Sequence, residues 1–196
     1  MPSTFFWSKA TYTCGEAACL ATLGKHAEVK KRMERVQGLR QKIAGKSIPI
    51  EKFVARKARK YLAQSDTLLL PALELAYVFH AIAHAPREVI VREMIPAVGD
   101  ALREPGLALS SEAFERAFRA VFEHGPDIEL DHYIVYYAHF EYGRLLARSG
   151  DKDGARTHFN LVLSGKLLEV NAAGRKNALH VRTNAALEAL DQNRLL

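Results

Sequence analysis

One spacing constrains this chain more than any other. In "EYGRLLARSGDKDGARTHFNLVL", residues 141–163, Gly143 is followed seven positions on by Gly150, five further by Ala155 and four further by Phe159. Apolar residues on either side of Gly150 recur at three and four, so the stretch reads as two helices. The joint is too short for anything but an antiparallel pair. Gly150 stands where a left-handed cap closes the first helix, and Asp151 where a side-chain cap opens the second. With the helices back to back, Gly143 lies at their closest approach, where a larger side chain would push them apart. Ala155 is the small residue facing that point, and Phe159, one turn on, fills the space beside it.

The same offsets recur in "TYTCGEAACLATLGKHAEVKKRMERV". Ala17 takes the place of Gly143, Leu20 that of Leu146, Gly24 that of Gly150, Val29 that of Ala155 and Met33 that of Phe159. Small, turn, small, large at these distances resembles the tetratricopeptide pattern, in which each repeat is one helical hairpin and stacked hairpins share a core. Tyr142, Gly143, Leu146, Gly150, Ala155 and Phe159 fit that pattern closely. His139 stands where it prefers tryptophan and Val162 where it prefers alanine. Val29 and Met33 make the N-terminal match the weaker one. The resemblance implies an all-α array of helical hairpins, an α–α superhelix whose concave groove takes a protein or peptide.

Helical periodicity dominates the rest, and strand-like alternation is absent. The pattern predicts helices over 3–22 (capped by Ser3), 26–43, 50–63, 67–84, 87–104, 111–124, 130–149, 151–164 and 176–193. Pro49 suits the first turn of the third, and Pro96 predicts a kink inside the fifth. The expectation is one helical-repeat domain over 1–196. Its repeat-like hairpins lie near 8–43 and 131–164, irregular helices fill the interval, and 176–193 caps the array.

Charge is distributed unevenly. The formal net charge is +6, yet residues 25–60 alone hold 13 Lys and Arg against three Glu. In "KKRMERVQGLRQK" the apolar Met33, Val36, Leu39 and Ile43 alternate with cations at helical spacing. This predicts an amphipathic helix that turns Met33, Val36 and Ile43 inward and Lys30, Lys31, Arg35 and Arg40 outward. Lys57 and Lys60 extend the cationic face onto the third helix. A solvated face is the plain reading of such a run. The functional one is contact with an acidic partner or an anionic membrane surface. No nucleic-acid partner is expected: no recognition module is present, and aromatic residues do not interleave the run.

Catalytic and metal-binding patterns are thin. Gly45, Lys46 and Ser47 match the tail of a phosphate-binding loop, but Arg40 stands where its first glycine belongs and no strand precedes it; the segment reads as a helix–helix linker. His80 and His84 lie one turn apart on a predicted helix face, without a third ligand in view. Cys14 and Cys19 are about 140° apart on one helix, so they cannot pair, and both read as inert packed thiols. Two such thiols and no recognisable export signal point to a reducing, cytoplasmic compartment, with a nuclear location as a lesser alternative. Phe5, Phe6 and Trp7 form an N-terminal aromatic cluster suited to packing on a preceding repeat. No catalytic residue, metal or cofactor is expected, and the oligomeric state is left open.

A closer resemblance rests on "WSKATYTCGEAACL", "GKSIPIEKFVARKARKYL", "LLLPALELAYVFHAI", "LDHYIVYYAHFEYGRLLARSGD" and "NALHVRTNAALEAL", in that order. Together they resemble the tetratricopeptide repeat protein 39 family, which includes fungal inclusion-body-clearance proteins of the mitochondrial outer membrane. Family members are several times longer and carry these motifs in their C-terminal part, so the resemblance implies that the chain corresponds to that part. It implies an all-helical, non-enzymatic protein, an adaptor in clearing protein inclusions or in lipid homeostasis. The implied location is the cytoplasm, peripheral to the mitochondrial outer membrane or lipid droplets. The alternative is a peripheral membrane module that uses residues 25–60.

Overall fold

A computed structural model describes residues 8–64, 68–102, 111–128, 131–167 and 176–194. The chain divides into two compact units, Met1–Leu107 and Ala108–Leu196, where one array over 1–196 was expected. Each unit encloses its own core around one of the two repeat-like hairpins, so each is described by itself.

The first unit opens with α1 (Lys9–Thr22) and α2 (His26–Val36). The predicted Ser3 cap, like Phe5, Phe6 and Trp7, lies outside the described residues. The cap is Ser8, whose Oγ accepts from the Thr11 N–H. Between the helices Gly24 adopts φ +70°, its N–H reaching the Ala21 carbonyl while the Lys25 N–H reaches that of Leu20. This is a paired C-terminal closure that uses up carbonyls the helix end leaves open. Ala17, Val29, Met33 and Val36 are buried between the two helices and α3 (Pro49–Ala63), which contributes Val54 and Ala58.

The helix predicted over 26–43 stops at Val36, and this is the largest correction in the unit. A 3-10 turn (Gln37–Leu39) follows, and Arg40 is already extended at ψ 138°. Then β1 (Lys42–Ile43) pairs antiparallel with β2 (Lys46–Ser47), Ile43 opposite Lys46. Ala44 and Gly45 make the two-residue turn, both at positive φ, +47° and +76°; that geometry suits the twist of a tight hairpin. The physical cause is Glu51, fully buried on α3. Its carboxylate accepts from Ser8 Oγ at 2.8 Å and from the Gln41 N–H at 2.5 Å. A buried carboxylate needs such donors, and supplying the Gln41 amide takes that backbone out of the helical ladder.

The predicted helix over 67–84 is also shorter. α4 (Pro71–Val78) ends where His80 turns left-handed at φ +61°, and a 3-10 turn (Ala81–His84) follows. Next come α5 (Arg87–Val89), a π-helical turn (Ile90–Met94) and α6 (Ile95–Leu102). The wide turn lies just before Pro96, whose ring needs room at the carbonyl four residues back; it occupies the place where a kink was expected.

The second unit holds α7 (Ser111–His124), a 3-10 turn (Gly125–Asp127), α8 (Tyr133–Ser149), α9 (Lys152–Ser164) and α10 (Lys176–Asp191). Gly150 closes α8 at φ +94°, with its own N–H on Ala147 and the Asp151 N–H on Leu146, the closure seen at Gly24. Asp151 caps α9 by accepting from the Gly154 N–H at 2.9 Å. A Cβ added at Gly143 would stand 2.7 Å from Phe159 Cε1 and 3.2 Å from the Ala155 carbonyl oxygen. Phe140, Ala155, Phe159 and Val162 form a core with Leu179, Ala186 and Leu190 of α10. That last helix ends in the same closure a third time: Asn193 at φ +54°, its N–H on Leu190 and the Arg194 N–H on Ala189. Ala186 lies seven residues before Asn193, as Gly143 does before Gly150 and Ala17 before Gly24. The helix expected only to cap the array thus carries the register of a first repeat helix.

Candidate interaction surfaces

The cationic segment is distributed differently from its sequence. On α2, Lys30, Lys31 and Arg35 are exposed, opposite the buried Val29, Met33 and Val36. Arg32, between them, is held by Glu16 at 2.9 Å and by Glu28. Its neighbours do the rest of the outward work, because those two carboxylates neutralise it locally. Arg40 is exposed, but it follows the helix and does not extend its face. Ile43 does not turn inward; at 63% exposure it stands on the β-hairpin between the exposed Lys42 and Lys46.

Lys57 is a second correction. Only 5% exposed, its Nζ pairs with Glu74 of α4 at 2.5 Å and lies 5.9 Å from the Phe53 ring centroid. It joins α3 to α4 and is no part of a cationic surface. Lys60, one turn along α3, is half-buried. Gly45, Lys46 and Ser47 form the hairpin turn and second strand, so the linker expected between the helices takes the form of a hairpin.

The histidines and cysteines are placed as follows. His80 and His84 do not share a helix face, since the left-handed backbone at His80 ends the helix; their rings meet edge to face at 6.1 Å. No group of three His, Cys, Asp or Glu side chains converges to hold a metal among the described residues. Cys14 is buried, and burial, with the nearby Glu74 charge second, pushes its thiol up to about 12. A thiol so protonated is a poor nucleophile. Cys19 is exposed on α1, which corrects its reading as a packed thiol.

Two clusters in the second unit escaped the sequence reading. One surrounds His139, the position where the repeat pattern prefers tryptophan. Its ring stacks on Phe122 of α7 at 4.1 Å, and its Nδ1 shares a 2.8 Å hydrogen bond with His158 Nδ1 of α9. Tyr142 closes the group, packing edge-on to His158 and donating its hydroxyl to Glu115, which also holds Arg119. Burial drops His139 to about 4, with the neighbouring imidazole of His158 as second cause; burial lowers His158 too, against the charge of Asp151. The pair is therefore neutral near pH 7, one ring donating and the other accepting.

The other cluster lies where α10 meets α8. Glu141 accepts from Arg144 at 2.8 Å and from Arg182 at 3.4 Å. Both guanidinium groups lie against the Phe140 ring, at 6.0 Å and 4.7 Å from its centroid. The three-residue spacing of Glu141 and Arg144 is legible in the sequence. Arg182 comes from 41 positions away, and no local pattern announces it.

Among the described residues no helix is long and apolar enough to cross a membrane. Residues 3–95 match the family model described as Iml2/Tetratricopeptide repeat protein 39, which supports the family resemblance over that part of the chain. The matched stretch contains the α1–α2 hairpin, Glu51 and the cationic segment. The sharper register at Gly143–Phe159 lies outside it. No solved structure gives a significant match. The all-helical repeat fold expected from the sequence agrees with both the family match and the structure. Repeats of this type generally act through contacts between proteins.

Proposed function

We propose that the chain is a non-catalytic scaffold or adaptor that binds proteins or peptides on the exposed faces of its helical hairpins. One observation carries this reading. The hairpin inside the family match closes at Gly24 by the same pair of hydrogen bonds that closes α8 at Gly150 and α10 at Asn193. Each closure has a small residue seven positions before it, Ala17, Gly143 and Ala186, a recurrence that suits helical-hairpin repeats, and repeat arrays present extended binding surfaces. The family resemblance supplies the process: clearance of protein inclusions or lipid homeostasis, at the mitochondrial outer membrane or lipid droplets. The test is capture of partners from native lysate, followed by reconstitution of each candidate with purified chain. Direct, saturable binding of a partner supports the adaptor. Failure of every captured candidate to bind directly, or turnover of a substrate by the chain alone, contradicts it.

A second reading is favoured by the β-hairpin. Ile43 is exposed on the hairpin between Lys42 and Lys46, and Lys31 and Arg35 are exposed on α2, a set of side chains suited to an anionic membrane surface. Each cation near such a surface contributes on the order of 1 kcal/mol. Replacing Lys30, Lys31 and Arg35 with glutamate should abolish sedimentation with phosphatidylserine vesicles at low salt and leave the helical circular dichroism unchanged. Wild-type chain that ignores those vesicles removes this reading and leaves the adaptor untouched.

A further inference from the structure

α4 lies on α1, yet its hold there is weaker than its sequence leads one to expect. Pro71–Val78 is apolar apart from Glu74, and none of its residues is fully buried, whereas α1, α2 and α3 each bury three residues or more. Both of its ends are strained. Leu70 stands at φ +43° before it and His80 at φ +61° after it. Left-handed backbone is costly for a bulky side chain, and the ring of Pro71 further restricts the residue before it. Among the described residues the other left-handed helix ends fall on Gly24, Gly150, Gly165 and Asn193, residue types that adopt this conformation readily. A charge contact ties α4 down against this strain: Glu74 pairs with the buried Lys57 of α3. On the α1 side stands Cys14. It is 2% exposed, and Glu74 lies close enough for its charge to help raise the thiol.

We infer that α4 is a latch: it lifts off α1 as one unit, turning about Leu70 and His80, and uncovers Cys14 and the Lys57 ammonium while α1, α2 and α3 stay folded. The inference goes beyond the scaffold reading, because it concerns a face of the first unit that the chain's own helix covers. Opening relaxes the backbone at Leu70 and His80 and gives up no fully buried side chain of α4. Segments with few buried contacts open at lower free energy than the core around them. The other three helices keep their own core, with Ala17, Val29, Met33, Val36, Val54 and Ala58 buried. Glu51 still ties α3 to Ser8 and to the Gln41 amide. Cys14 reports the movement. With the latch closed its thiol is buried and protonated; with the latch open it meets solvent and regains the reactivity of an ordinary thiol.

The test uses the full chain with Cys19→Ser, a change at an exposed position that leaves Cys14 as the only thiol. Alkylation by iodoacetamide is followed by mass spectrometry at low urea concentrations, and amide hydrogen exchange is followed in parallel. Cys14 should be labelled faster than global unfolding of the first unit allows, with a much shallower urea dependence than that unfolding. Amides of α4 should exchange ahead of those of α1 and α2. Glu74→Gln removes the ion pair and should speed labelling about tenfold or more. Because that variant can also loosen the whole unit, His80 supplies a second arm. His80 is exposed, so changes there act on the hinge. His80→Asn, which accepts left-handed backbone, should slow labelling roughly threefold; His80→Val, which resists it, should speed labelling by a similar factor. Three results overturn the latch: labelling that tracks global unfolding in rate and urea dependence, α4 amides as protected as those of α2, or His80 variants that leave the labelling rate unchanged. Each of them leaves the scaffold reading standing.

Discussion

The α1–α2 and α8–α9 hairpins are the same design solved with different side chains. At the matching positions the first has Ala17 and, one helix on, Met33; the second has Gly143 and Phe159. All four are buried. In the second pair the ring lies so near the glycine that even a methyl group would collide with it. A larger side chain on one helix goes with a smaller one on the other, so the filled volume is kept while the residues differ. Interiors tolerate volume-conserving exchange and resist one-sided change. The backbone closures at Gly24 and Gly150, by contrast, match hydrogen bond for hydrogen bond.

The largest difference between the hairpins should appear on enlarging the small residue. Gly143→Leu has to displace an aromatic ring and a backbone carbonyl, and overpacking of this kind costs about 1–3 kcal/mol, sometimes more. Urea unfolding of the second unit should show a lower midpoint. Ala17→Gly, the opposite change at the matching site, should cost about 1 kcal/mol through helix propensity, with a further loss for the methyl group left unfilled. A Gly143→Leu chain as stable as wild type would show that the α8–α9 contact is looser than its geometry.

Next in size are the helix starts. α9 has Asp151 as an N-cap, whereas α2 begins at Lys25 with no side-chain cap. Asp151→Ala should cost about 1 kcal/mol. Lys25→Asp should stabilise the first hairpin by a similar or smaller amount, since a carboxylate also suits the positive end of a helix. If Lys25→Asp changes nothing in thermal unfolding, the two turns are less alike than their backbone bonds indicate.

The smallest contrast is in pH dependence. His139 titrates near 4, below its ordinary 6.5, because it is buried next to His158. Between those values the unfolded chain binds more protons than the folded one, so stability rises with pH there and falls as pH drops from 6.5 toward 4. His158, also lowered, adds in the same direction. The groups facing the pair are Phe122, Glu115 and Arg119 of α7, Tyr142 of α8, and Asp151 before α9. In the first hairpin the matching positions are Thr13 and Arg32. His139→Phe should therefore flatten the acid side of the second unit's stability profile and leave the first unit's unchanged.

The sequence carried the hairpins because their spacing is local: a left-handed residue, a small residue seven before it and a small-then-large pair after it. It misplaced what depends on distant partners. The apolar period in "RVQGLRQKI" runs on to Ile43, yet the buried carboxylate of Glu51 takes the Gln41 amide and the helix ends at Val36. Lys57 reads as one cation among many, and Glu74 from another helix buries it. His80 and His84 keep helical spacing in letters, while the backbone at His80 turns left-handed. The Arg144–Glu141–Arg182 group needs α10 to dock before it exists. The repeat signature at Gly24 and Gly150 is plain; its third use at Asn193 is obscured because an asparagine, not a glycine, takes the left-handed position.

If the two hairpins are one repeat with compensating volumes, a double-mutant cycle at the sharper site must show it. Gly143→Ala, Phe159→Met and the two combined would place the N-terminal pair into the C-terminal hairpin. Their stabilities would be measured by urea unfolding. The double variant should be more stable than the sum of the single changes by at least about 0.5 kcal/mol, the coupling expected of residues in contact. Effects that simply add would contradict this, because they would mean that the small residue and the large one do not share a single space.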